Sequence, residues 1–212
     1  MLQNIQEFVG PLENIIDVSE IYNADGTLLY RGLIWSGNKF GYGITFHYNG
    51  KLEYKGLFMD NEKIGNDCST YNESGIKVYR GGLYAGKFEG NGTIYHTNGQ
   101  VHYSGYFKGN HLFGPSRMYH DNGAIRVFGN FVQGKAEGMG SEYLKTGHMG
   151  ARGYFWENAI DYSRFFVIYY ANGQISEIGE KKLKFAGEKG ISTRGVKVPY
   201  HSKRYNKRNS MF

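Results

Sequence analysis

The chain has 212 residues, of which 40% are hydrophobic and 17% aromatic, with 32 glycines, three prolines and a single cysteine. One cysteine excludes an intrachain disulfide framework and suits a reducing compartment. The net charge of +6 is not spread evenly: Arg194, Lys197, Lys203, Arg204, Lys207 and Arg208 carry all of it, no acid lies among residues 194–212, and residues 1–193 balance to about zero.

The first twenty residues, MLQNIQEFVGPLENIIDVSE, have neither a basic start nor a long apolar core. They read as neither a signal peptide nor a membrane span. Leu2, Ile5, Phe8 and Val9 have helical spacing that ends before Pro11. Residues 1–20 are therefore expected to form an N-terminal cap, because an uncovered strand edge invites pairing with other chains.

From residue 21 a register takes over. Seven aromatics (Tyr22, Phe46, Tyr71, Tyr95, Tyr119, Tyr143 and Tyr169) each stand four positions before a glycine, and a second glycine follows six positions later. The steps between copies are 24, 25, 24, 24, 24 and 26 residues. A fixed period of this size marks a repeat protein whose units stack on their neighbours. Within a copy, Asn49-Gly50 lies between two aromatic-rich runs, and the same site reads Asp25-Gly26, Asn98-Gly99, Asn122-Gly123 and Asn172-Gly173. Asn-Gly is a strong hairpin-turn signal, because both residues tolerate positive φ and the resulting turn matches strand twist. The following run alternates, so Tyr54, Gly56 and Phe58 share one face, as do Tyr30, Tyr79 and Tyr103 with the glycine and apolar residue after each. The middle glycine is expected to leave room for a ring or backbone from a neighbouring copy. A second turn is expected at Gly37, Asn61, Gly86, Asn110 and Gly134, and a further glycine stands four residues on. The expected fold is all-β, an elongated antiparallel β-hairpin repeat array of about seven copies over residues 21–190, with terminal caps and a basic tail at 191–212.

The run from Tyr79-Arg80-Gly81 through Gly86, Gly90 and Gly92 resembles the MORN repeat, and the Y-x-x-N-G turn is similar to the variant found in YwqK-type bacterial proteins. The resemblance covers about residues 20–187. It implies a curved hairpin array used for protein or membrane-lipid contacts, usually without chemistry of its own. Copies six and seven depart from the pattern: Ala151 replaces the first tyrosine, Tyr162 the late glycine and Lys181 the core aromatic.

Catalytic and ligand patterns are not seen in the sequence. His47, His96 and His120 each follow the repeat aromatic, but successive copies lie two strands, roughly 10 Å, apart, too far to share a metal. The glycine-rich Gly86–Gly92 stretch lacks the Lys-Ser/Thr of a phosphate loop and any following helix. No serine sits in a Gly-x-Ser-x-Gly elbow. Cys68, placed between the strands of a degraded copy, is expected to be a packed thiol. No enzyme activity, metal, cofactor or small-molecule substrate is expected.

The opposite strand face is more informative. Where MORN repeats often carry Glu and Lys, this chain has Leu33, Trp35, Leu57, Met59, Tyr84, Tyr106, Tyr154 and Trp156. An apolar stripe of this kind is expected to contact a protein partner; coverage by the chain's own Leu2–Val9 segment or its tail from residue 190, or closure into a two-layer core, stays open as an alternative. The expected function is thus a non-enzymatic interaction scaffold. Two alternatives stay open. One is a peripheral membrane module whose Lys181, Lys182, Lys184, Lys203, Arg204, Lys207 and Arg208 meet anionic lipid. The other is an antitoxin or host-factor antagonist of the YwqK kind. Nucleic acid is not an expected partner, and an intracellular location, with or without membrane association, is the expected one.

Overall fold

A computed structural model describes residues 18–181 and the backbone of residues 193–197. Of the expected N-terminal cap, residues 1–17 lie outside the described residues, while Ser19 and Glu20 belong to the first strand. All regular elements described are strands: β1 (Ser19–Tyr22), β2 (Leu28–Trp35), β3 (Asn38–Phe46), β4 (Leu52–Met59), β5 (Glu62–Tyr71), β6 (Lys77–Tyr84), β7 (Lys87–Tyr95), β8 (Val101–Lys108), β9 (His111–Tyr119), β10 (Ile125–Val132), β11 (Lys135–Tyr143), β12 (Met149–Trp156), β13 (Ala159–Ile160), β14 (Phe166–Tyr169), β15 (Ile175–Lys181) and β16 (Thr193–Lys197). The fold is an antiparallel hairpin meander, as the period predicts. It falls into two compact units, residues 1–90 and 91–212.

In the first unit β1 to β6 pair in chain order, each antiparallel to the next. One face buries a row of rings. Tyr30, Tyr54 and Tyr79 are fully buried, with Thr45 and Thr70 opposite them on the intervening strands. Tyr30 and Tyr54 lie over the glycine two residues on, and each of the three tyrosines donates its hydroxyl proton to the carbonyl three residues on: Tyr30 to Leu33, Tyr54 to Leu57 and Tyr79 to Gly82, each at 2.8 Å. A methyl group on Gly32 or Gly56 would sit 2.4 Å from the tyrosine Oη. The Tyr-x-Gly spacing therefore exists to let a ring fold flat on its own strand while its hydroxyl stays paired. Phe58 then wedges edge-on between neighbouring copies, 5.5 Å from the Tyr30 ring and 5.0 Å from the Tyr54 ring. Such edge-to-face pairs add about 0.5–1.5 kcal/mol each beyond burial.

The second unit repeats this meander from β8 to β12. Its inward row reads Tyr103, Met118, Val127, Glu142 and Ala151, so the ring ladder thins as the copies diverge. In the last copy the strand that should follow the second turn is broken. β13 pairs with β12, the chain loops out over residues 161–165, and β14 then resumes the pairing. This loop absorbs the longer 26-residue step. Phe166 enters from β14 and packs against Gly153 and Gly179, in place of the ring that Ala151 lacks.

The turns refine one expectation. At the Asn-Gly sites only the glycine has positive φ, for example +75° at Gly50 and +82° at Gly99. The amide of Gly50 donates to the His47 carbonyl and that of His47 to the Lys51 carbonyl, both at 2.8 Å. This is a three-residue loop, a type I turn closed by a left-handed glycine. The two-residue turns with both residues left-handed are at the other end of the copy: Ser36-Gly37, Asp60-Asn61, Ala85-Gly86, Gly109-Asn110, Gln133-Gly134 and Glu157-Asn158. Strands also begin directly after these turns, before the late glycines. Those glycines (Gly41, Gly65, Gly90, Gly114 and Gly138, all at positive φ) lie inside strands. Register shifts in the hairpins of Gly41, Gly65, Gly114 and Gly138 show these four to be bulges.

Candidate functional site

Polar side chains that invite chemical readings are occupied in holding copies together. His47 Nε2 contacts the carbonyl of Tyr71, His96 that of Tyr119 and His120 that of Tyr143, at 2.9, 3.3 and 2.8 Å. Facing a carbonyl, each Nε2 is the protonated donor. Asn49, Asn98 and Asn122 do the same at the turn tips, donating to the carbonyls of Glu73, Asp121 and Lys145 at 2.8, 2.7 and 2.9 Å. Among the described residues no group of three metal-ligating side chains comes together. Cys68 lies within β5 rather than between strands. It is buried and donates from Sγ to the Ile64 carbonyl at 3.0 Å. Burial is the main cause that pushes its thiol pKa up, which disfavours the reactive thiolate.

The outward face of the first unit is where side chains remain open. Trp35, Leu57, Met59 and Tyr84 are exposed, Tyr84 to 69% and Trp35 to 55%. Leu33 is half-buried because it leans across the bulge glycine Gly41. Pairing register adds two residues that strand alternation alone did not reveal. Phe40 stands opposite Leu33, with its ring 5.9 Å from that of Trp35. Tyr42, half-exposed, stands opposite Leu57. Both belong to β3, where the bulge at Gly41 shifts the alternation. The face is interrupted at Gly82, where a methyl group would lie 1.9 Å from the Glu89 carbonyl oxygen. That backbone approach leaves the third copy only Tyr84 as an outward apolar group.

The second unit presents its expected residues in a different setting. Tyr106 is exposed and stands opposite Phe113. Trp156 is exposed near the second turn of its copy. Tyr154 is half-buried opposite Met139, with the Arg164 guanidinium 5.0 Å above its ring. No family model matches the chain, and no curated protein matches it. The outward face of the first unit is mainly apolar, and that of the second is aromatic with cations set against the rings, as Lys108 is over Phe113 and Arg117 over Phe128.

Of the expected anion-binding set, Lys181 has its backbone in β15, and Lys182, Lys184, Lys203, Arg204, Lys207 and Arg208 lie outside the described residues. No helix among the described residues is long and apolar enough to cross a membrane.

Proposed function

We propose that the protein is a non-catalytic interaction module and that the outward face of its first unit receives a protein partner. One observation carries this reading. Trp35 with Phe40, Tyr42 with Leu57, and Met59 beside them form an exposed apolar surface on adjacent, rigidly paired strands. Aromatic residues and methionine are the side chains enriched at protein contacts, where large rings bury area with little loss of rotamer freedom. The inward face already satisfies the core, so folding does not require these outward rings. A side chain that neither packs the core nor caps a turn is best accounted for by something that binds it. The resemblance to MORN repeats supports the same class of role, and the lone, buried Cys68 suits a reducing compartment.

The test is affinity capture with the wild-type chain and with Trp35→Ala/Tyr84→Ala, followed by identification of bound proteins. The expected result is a reproducible partner whose capture falls at least about ten-fold in the variant, since two anchor side chains at ~1–2 kcal/mol each exceed the roughly 1.4 kcal/mol that a decade requires. Equal capture by both proteins would remove the first-unit face from the function. Co-sedimentation with anionic vesicles that collapses at high salt and ignores the Trp35 change would favour the membrane alternative instead.

A further inference from the structure

The second unit carries a row that the aromatic stripe does not include. Arg117 on β9 stands opposite Phe128 on β10, Phe128 opposite Ser141 on β11, and Ser141 opposite Arg152 on β12. Directly paired residues project from the same face of a sheet, so the four side chains line up across four strands. Arg117, Phe128 and Arg152 are exposed. Among the described residues neither arginine is in an ion pair. The acids Asp121, Glu157 and Asp161 are paired with Lys145, Lys135 and Arg164. Glu142 is in the inward row with Val127 and Ala151. Among the described residues, the outward row therefore has two guanidinium groups outside any ion pair.

Its spacing selects a ligand. Three inter-strand steps separate the two arginines, about 14–15 Å at the usual strand separation. In an extended peptide, residues i and i+4 point the same way and lie about 13–14 Å apart. The residue midway between them faces the same side and would meet Phe128 and Ser141. The Arg117 guanidinium lies 5.1 Å over the Phe128 ring. A guanidinium placed over a ring can still turn its N–H groups toward a carboxylate. The same contact covers the ring face that a nucleobase would need for stacking, which weighs against single-stranded nucleic acid.

We infer that the row Arg117–Phe128–Ser141–Arg152 binds an extended acidic peptide with two carboxylates four residues apart and an apolar residue midway. This site is separate from the first-unit face and stands without it. The probe is a fluorescein-labelled synthetic peptide of β-branched residues with two glutamates at that spacing and a leucine between them, followed by fluorescence anisotropy with the full chain. Saturable, salt-sensitive binding is expected. Arg117→Ala/Arg152→Ala, or moving one glutamate by a single position so that the two face opposite ways, should each weaken it about ten-fold. Arg117→Glu/Arg152→Glu should instead take up the peptide in which lysines replace the glutamates, which also shows that the variant is folded. Trp35→Ala/Tyr84→Ala should bind the peptide as the wild type does. Absence of binding, indifference to glutamate spacing, unchanged binding by the double alanine variant, or stronger binding through the same arginines to a single-stranded oligonucleotide or anionic vesicles would each overturn the inference.

Discussion

The residue that does most to explain this fold is the glycine two positions after each core tyrosine. Gly56 lies beneath the Tyr54 ring, and a methyl group there would come within 2.4 Å of Tyr54 Oη and 2.9 Å of Cys68 Sγ. Tyr54 cannot retreat without giving up its hydrogen bond to the Leu57 carbonyl, and its phenol is buried deeply enough that its pKa is pushed up. Gly56→Ala should therefore cost about 3 kcal/mol, as overpacking does in a dense core. Gly99 offers the contrast. It has positive φ, but a methyl group there would meet nothing within 4 Å, so Gly99→Ala should cost only the left-handed strain, about 1 kcal/mol. Urea unfolding of the two variants checks the order, and a Gly99 variant as unstable as the Gly56 one would break the ring-over-glycine account. The tyrosine and glycine positions were readable in the sequence because they recur in register. The reason for the pairing was not, since a ring folded over its own strand leaves the same spacing as a ring from a neighbour.

At the scale of the hairpin, the sequence showed where the chain turns but not how. Asn and Gly both tolerate positive φ, glycine at the lower cost, and at residues 49 and 50 only the glycine uses it. The asparagine is kept for its amide, which bridges to the next copy while its Oδ1 accepts from the Lys51 amide at 3.0 Å. The turns with two left-handed residues fall at Ala85 and Gln133, which carry no turn signal of their own and are set by the register of the flanking strands. One hairpin also holds a stacked pair of histidines. The rings of His96 and His102 stack at 3.9 Å across the turn between β7 and β8. Burial first, then the neighbouring His96 and Arg126, lower the His102 pKa to about 4 from its usual 6.5. Between those values the unfolded chain binds the extra proton and the folded chain does not, so stability rises with pH through this window. Lowering the pH from about 6.5 to 4 should therefore lower the urea midpoint, and this group's contribution should level off below about 4. His102→Phe should flatten that part of the profile. A variant with the wild-type slope would show that the stacked pair is not its source.

For the whole molecule, the period predicted an all-β meander, and the meander is what forms. The outward surface was only half visible. Leu33, Trp35, Leu57 and Met59 follow simple alternation, whereas Phe40, Tyr42 and Phe113 lie on strands whose alternation is shifted by bulge glycines. Arg117 and Arg152 come together only through pairing register, which no short motif encodes. The extra residue in the third copy illustrates the same limit: β5 has ten residues where β3, β7 and β9 have nine, and the surplus is taken up where Gly65 pairs with Leu83 and Cys68 with Gly81. In repeat folds stability is local, a sum over units and their nearest neighbours. The first unit keeps tyrosine at all three core positions, Tyr30, Tyr54 and Tyr79, each with a paired hydroxyl. The second has Tyr103 but then Val127 and Ala151. Replacing a buried ring by alanine costs about 3–5 kcal/mol even where neighbours partly refill the site, and Phe166 refills the place beside Ala151. Backbone amides of β4 and β6 should therefore exchange with deuterium at least about ten-fold more slowly than those of β10 and β12, a difference of roughly 1.4 kcal/mol in local opening. Uniform protection across these four strands would mean that the chain opens as one cooperative body and that the tyrosine ladder does not set local stability.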